Sequence, residues 1–263
     1  MPTVNLQGQK LYYAQKTTDS ALPVVLIHGA AGSHLDWPPH LRRLTTASVY
    51  AIDLPGHGRS PGPARSTVDR YAAVVSAFIT ELELEDVVLV GHSMGGAIAQ
   101  SIAHTGAHIG ADAIKGLVLM SSGAKLRVKD ELLDGIRSDF EFTAEMLAQQ
   151  LWSSGAPDEL KELGKRKFLE NKPEVVYADY QACNSFDLMD QLNQIELPAL
   201  VICGSEDQMT PVKYSIYLAK QMPAATLQIV KGAGHMVHLE QPEIVASHTS
   251  HFLKNIIQTT SLT

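Results

Sequence analysis

Short, uninterrupted apolar runs alternate along the chain with longer stretches whose apolar positions recur at helical spacing. The runs are Val24–His28, Val49–Asp53, Val87–Gly91, Leu117–Ser121, Ala199–Gly204 and Thr226–Lys231, bounded by Gly, Pro or Asp. They lack the period-2 alternation of a half-exposed strand. Runs of that kind predict strands covered on both faces, hence a parallel sheet flanked by helices. Between them, Thr67–Leu84 spaces its apolar residues as a helix does, and Gly96–Thr105 is small and apolar enough for a buried helix. Pro242–Ile257 opens with a proline suited to a first helical turn. Val4–Leu6 and Leu11–Ala14 predict an antiparallel hairpin at one sheet edge. Together these elements make an α/β architecture with a mostly parallel sheet of about eight strands.

One region breaks the alternation. Between Ser121 and Ala199 no run reads as a strand. Lys129–Arg137, Thr143–Trp152, Pro157–Glu170 and Pro173–Asn184 read as helices, several behind a plausible cap or with proline in the first turn. The predicted division is a core of residues 1–123 and 195–263 with a helical insertion, 124–194, packed over the end of the sheet. A chain of 263 residues is long enough for one sizeable core with such an insertion.

Composition narrows the function classes. A formal net charge of -7 argues against a general nucleic-acid binder. The cations between Lys161 and Lys167 are interrupted by Glu162, Leu163 and Gly164 and read as a solvated helix face. The apolar runs are too short to span a bilayer, and MPTVNLQGQKLYY lacks the charge and apolar pattern of a signal peptide. The expectation is a cytoplasmic protein, monomer or homodimer, without nucleic-acid or membrane partners. Cys183 and Cys203 fall in different parts of the fold and read as buried thiols. No histidine or cysteine cluster has metal-ligand spacing, so neither metal nor organic cofactor is expected.

The strongest chemical signal is Gly91-His92-Ser93-Met94-Gly95, directly after one strand-like run and directly before a helix-like one. G-x-S-x-G between a strand and a helix strains the serine backbone and lifts its hydroxyl above the sheet. Ser93 is therefore the candidate nucleophile. A serine hydroxyl needs a base within hydrogen-bond reach. Of the 11 histidines, His235 stands in a glycine-rich loop after the last strand-like run, where an open α/β sheet presents ligand-contacting groups. His238, three residues on, is the runner-up. Asp207, in the turn-rich loop after Ala199–Cys203, is the expected acid that orients the base, with adjacent Glu206 as the alternative. Charge developing on the substrate oxygen needs donors. The expected ones are the backbone N–H groups of Met94 and of Ala30, the latter in the small-residue loop His28-Gly29-Ala30-Ala31-Gly32.

These motifs, with Leu26–Trp37, Asp53–Ser60, Gly204–Pro211 and Gly232–Pro242, occur in an order that resembles the α/β-hydrolase superfamily over nearly the whole chain. The resemblance implies a cap domain over the site, in agreement with the helical insertion. It implies that Asp53–Ser60 is a structural turn, so His57 is not catalytic, and that His28 and His92 position or pack. Fold alone does not choose a substrate. Members that attack with a carboxylate are excluded by Ser93. Members that hydrolyse C–C bonds often carry Trp after the catalytic histidine, where this chain has Met236. A short- to medium-chain carboxylesterase acting on a small-molecule ester and water is the expected function. A C–C hydrolase, lactonase or perhydrolase with the same residues, or a slow-turnover ligand receptor, remains the alternative. Trp37, Phe140, Trp152 and Phe186 are the expected substrate contacts.

Overall fold

Every residue of Pro23–Ile27, Val87–His92 and Ala199–Gly204 is buried, as continuous apolar runs dictate for strands with helices on both faces. The computed structural model describes residues 2–19, 22–106 and 113–260. Its strands are β1 (Thr3–Leu6), β2 (Gln9–Lys16), β3 (Pro23–Ile27), β4 (Ser48–Ile52), β5 (Val87–His92), β6 (Ile114–Met120), β7 (Ala199–Gly204) and β8 (Ala225–Val230). They form an eight-stranded sheet in the order β1-β2-β4-β3-β5-β6-β7-β8. β1 and β2 are antiparallel to each other and β2 is antiparallel to β4; the remaining pairs are parallel. β8 departs from the expected two-sided cover. As the last strand in the order it pairs with β7, and Val230 alone of its six residues is buried.

The helices are α1 (Pro39–Arg42), α2 (Val68–Glu81), α3 (Met94–Thr105), α4 (Asp130–Ser138), α5 (Phe140–Gln150), α6 (Asp158–Leu169), α7 (Pro173–Ser185), α8 (Val212–Gln221), α9 (Val237–Glu240) and α10 (Pro242–Thr260). Successive strand residues point to opposite faces, and the two faces build two cores. Val25 and Ile27 belong to a core shared with residues of α2, α3 and α8, whereas Val24 and Leu26 belong to one shared with residues of α1 and α10. Burial of a Val, Leu or Ile side chain contributes roughly 1.5–3 kcal/mol, so the alternation holds both helical layers to the sheet. α2 starts where Thr67 accepts a hydrogen bond from Arg70 N, the expected N-cap chemistry. α8 and the short turn His34–Asp36 are elements beyond those expected from the sequence.

α4 to α7 all lie between β6 and β7. Lys125 and Asp187, on either side of them, form a bridge, and their charged ends meet at 2.6 Å. The four helices share a cluster built from Ile136, Ala144, Leu147, Phe168, Val176 and Tyr180. Ala30, Ala31 and Met209, from loops at the sheet, pack against it. α7 also enters the main core through Ala182 and Cys183. Cys183 and Cys203 are free, buried thiols. Among the described residues, no helix is long and apolar enough to cross a membrane.

Candidate active site

β5 ends at His92 and α3 begins at Met94, so Ser93 alone makes the turn, with φ 52 and ψ -115. A positive φ in a residue other than glycine costs on the order of 1–3 kcal/mol and persists only when its surroundings impose it. Ser93 N donates to Met120 O at 2.9 Å, and Ser122 Oγ donates to Ser93 O at 2.9 Å. A Cβ on Gly95 would collide with the Ile27 and His28 carbonyl oxygens, and one on Gly91 with the Gly95 backbone. The two glycines allow strand and helix to approach closely enough to expose the serine.

His235 and Asp207 come from the loops that leave β8 and β7. His235 Nδ1 lies 3.1 and 3.0 Å from the two Asp207 carboxylate oxygens. Asp207 Oδ1 also accepts from Met209 N and Thr210 N, and Oδ2 from Thr210 Oγ1. Burial raises the Asp207 carboxyl, but the His235 charge and these hydrogen bonds outweigh it and hold the group below the usual carboxylate range. With Nδ1 donating to Asp207, Nε2 is the nitrogen of His235 that accepts. His92 Nε2 donates to the His235 carbonyl at 3.1 Å, and its ring packs 4.9 Å from the His235 ring. Glu206, the sequence alternative to Asp207, instead accepts from Ser154 N and Oγ.

The loop after β3 runs beside Ser93: a Cβ on Gly29 would stand 3.2 Å from Ser93 Cβ. Ala30 and Ser93 line the same cavity. Met94 is the first residue of α3, so its N–H has no acceptor within that helix; its side chain belongs to the core.

The cavity, of about 150 Å³, is also lined by His92, His235, Trp152, Leu160, Met209 and Met236. A wider cleft of about 1050 Å³ shares Ser93, Ala30, Tyr180 and Met209 and reaches Leu132, Phe142 and Met146 of α4 and α5. Ser93 thus sits where two spaces meet. Of the four aromatic contacts expected from sequence, Trp152 alone lines the cavity. Trp37 is wholly buried in the core shared with α1 and α10, its ring 5.0 Å from that of His238. Its nearness to the Ala30 loop in sequence is undone by the His34–Asp36 turn. Phe140 stacks on Phe168 at 6.3 Å within the helical cluster, and Phe186 packs into the main core at the end of α7. Met209 and Met236 also line the cavity, and their only mark in the sequence is adjacency to the Asp207 and His235 loops. Asp36 and Lys167, which no motif marks, stand among the lining residues as well. Burial raises the Asp36 carboxyl to about 6, against the opposing effects of the Ser33 backbone hydrogen bond and the Lys167 charge.

The remaining buried histidines hold structure. His28 Nδ1 donates to Gly29 O at 2.7 Å and Nε2 accepts from Leu54 N at 3.0 Å, which defines a neutral ring. Burial, then the His57 charge, lowers it to about 4. His57 differs: Nε2 meets Asp179 Oδ2 at 2.7 Å and Nδ1 meets Pro55 O at 3.1 Å, so both nitrogens donate. Burial lowers its pKa, but Asp179 outweighs that and raises it overall. His238 is fully buried against Trp37 and His92, lowered to about 3 by burial and then by His235. Among the described residues, no group of three or more His, Cys, Asp or Glu could hold a metal ion.

A family model described as "Alpha/beta hydrolase family" matches residues 24–248. A putative esterase/lipase 2 from Mycoplasma pneumoniae is 31% identical over 229 residues, which cover 80% of this chain and 80% of that protein. A putative 2-succinyl-6-hydroxy-2,4-cyclohexadiene-1-carboxylate synthase from Bacillus subtilis is 27% identical over 280 residues, covering 97% of this chain and 100% of that protein. The solved structure of a thermophilic esterase superposes with a TM-score of 0.84 at 31% identity, with 97% of each chain covered.

Proposed function

Because this chain belongs to the alpha/beta hydrolase family, we propose that it cleaves carboxylic esters through an acyl-enzyme formed on Ser93. The observation that carries this reading is that His235, with Nδ1 bound to Asp207, lines the same cavity as Ser93 and Ala30. Ser93 Oγ attacks the ester carbonyl carbon while His235 Nε2 takes its proton. The backbone N–H groups of Ala30 and Met94 receive the oxyanion. Loss of one such donor typically costs about 2.7–4 kcal/mol of barrier stabilisation. His235 then gives the proton to the departing alcohol. Water attacks the acyl-serine, passes a proton to His235, and the acid leaves with Ser93 restored.

Residues 124–194 act in this proposal as a cap that shapes the substrate space. Leu160, Met209 and Met236 offer an apolar wall to an acyl or alkyl group. A second reading, a lactonase or C–C bond hydrolase with the same residues, is favoured by Asp36 and Lys167 in the lining, which offer charge to a polar substrate. A panel of p-nitrophenyl esters of increasing acyl length tests the first reading. Multiple rapid turnovers with an optimum at short to medium chains support it. A single slow acylation, or no reaction at any length, contradicts it.

A further inference from the structure

The loop that brings Ala30 beside Ser93 is gripped from the helical segment. Gly32 N donates to Gly29 O at 3.1 Å, closing a four-residue turn whose third residue, Ala31, has φ 56. Turns with positive φ at that position ordinarily place glycine there, because a Cβ makes the conformation costly. Alanine needs outside support to stay in it. Both backbone polar groups of Ala31 have that support: its N–H donates to Asp179 Oδ2 at 2.8 Å, and its carbonyl accepts from Asn171 Nδ2 at 2.8 Å. Asp179 lies on α7 and Asn171 just beyond α6, so the two bonds span 148 and 140 residues of chain.

Asp179 is itself fixed. Its Oδ2 also accepts from His57 Nε2 at 2.7 Å, and its Oδ1 from Tyr71 OH at 2.5 Å. Asp179 and His57 are 0% and 1% exposed. A buried charge pair is weak evidence for stability, because desolvation offsets most of the attraction. What this pair does supply is a carboxylate with one allowed orientation, aimed at the Ala31 peptide.

We propose that Asp179 and Asn171 are positioning residues that set the Ala31 backbone and thereby aim the Ala30 N–H at the oxyanion. This rests on the reading of Ser93 given above. It makes the helical segment part of the device that stabilises the transition state, as well as a wall of the pocket. Through Asp179, His57 in the Asp53–Ser60 turn becomes a support for the same loop.

A clamp of this kind affects the transition state more than the bound substrate. The test compares wild type, Asp179→Asn and Asn171→Ala with three measurements: kcat and KM on one p-nitrophenyl ester, the Ki of a trifluoromethyl ketone that forms an oxyanion on the serine, and the Ki of the product acid. Removing one oxyanion donor outright costs roughly 10²–10³ in kcat. A misaimed donor should cost less: Asp179→Asn should lower kcat roughly 10–100-fold and weaken the ketone by a similar factor. KM and product-acid binding should hold near wild type. Asn171→Ala should show the same pattern more weakly. If Asp179→Asn fails to fold, the Asn171→Ala pattern decides. Unchanged kcat and ketone Ki in a folded variant overturn the proposal, as does a loss confined to KM. Failure of the wild type to bind the ketone covalently at Ser93 overturns the Ser93 reading instead, so the two failures are distinguishable.

Discussion

Glu206 and Asp207 are neighbours in the chain yet serve different partners. Glu206 accepts hydrogen bonds from the Ser154 backbone and hydroxyl at 2.9 and 2.8 Å, while Asp207 faces His235 at 3.0 Å. Glu206 ties the helical segment to the sheet, and Asp207 orients an imidazole. The two carboxylates therefore separate by mutation. Asp207→Asn should lower kcat by roughly 10³–10⁴-fold, because the amide no longer holds the His235 tautomer or balances its charge. Glu206→Gln should leave kcat close to wild type. Steady-state kinetics on both variants checks this, and a greater loss in Glu206→Gln would reverse the assignment.

Trp37 and Trp152 offer a second contrast. Trp37 is core, and Trp152 lines the cavity. Trp37→Ala should destabilise the fold by roughly 3–5 kcal/mol, as large-to-small changes in a packed core do, with ester KM unaltered when measured below the unfolding transition. Trp152→Ala should shift KM and the preferred acyl length. Urea denaturation beside KM measurements distinguishes them. Altered specificity in Trp37→Ala would place its ring in contact with substrate.

Acid should loosen the molecule chiefly through its buried histidines, while the Asp36 carboxyl, raised to about 6, works in the opposite direction over the same interval. His28, His92 and His238 are buried in the neutral form, with folded-state pKa values pushed below 6.5, to about 4 for His28 and about 3 for His238. The unfolded chain binds protons that the folded chain refuses, so stability rises with pH in that interval. Their contribution is complete above the ordinary histidine value and is lost as pH falls from there toward the folded values. The opposite holds for His57, whose raised pKa gives stability that is present below 6.5 and lost as pH rises through its folded value. The groups acting on it are Asp179 and Asp53, with His28 beside it. The urea midpoint should therefore drop between pH 6.5 and 4 and decline again on the alkaline side. His238→Phe should flatten the acid limb; an unchanged limb would show that His238 contributes nothing to it.

Much of this was legible in the residues themselves. Continuous runs such as Val87–Val90 place central strands because two-sided burial leaves no polar position. The Gly91–Gly95 turn was readable because only glycine tolerates backbone that close. The partner of the Ala31 peptide was not. Asp179 is one acid among several polar residues of α7, and its ligands Ala31, His57 and Tyr71 lie 148, 122 and 108 residues away. No local period or motif encodes contacts of that range. Trp37, expected near the site from its closeness to the Ala30 loop, and Phe186, expected there as part of the helical insertion, instead pack into the two cores, because side-chain direction is set by tertiary packing that neither position encodes locally.

The central claim is that Ser93 carries the reaction, and it is tested most directly by the turnover of a p-nitrophenyl ester by Ser93→Ala. The hydroxyl is the attacking atom and nothing else in the cavity replaces it in the proposed mechanism. With the fold intact by circular dichroism, kcat should fall by roughly 10⁴-fold or more. Turnover near the wild-type rate would contradict the mechanism.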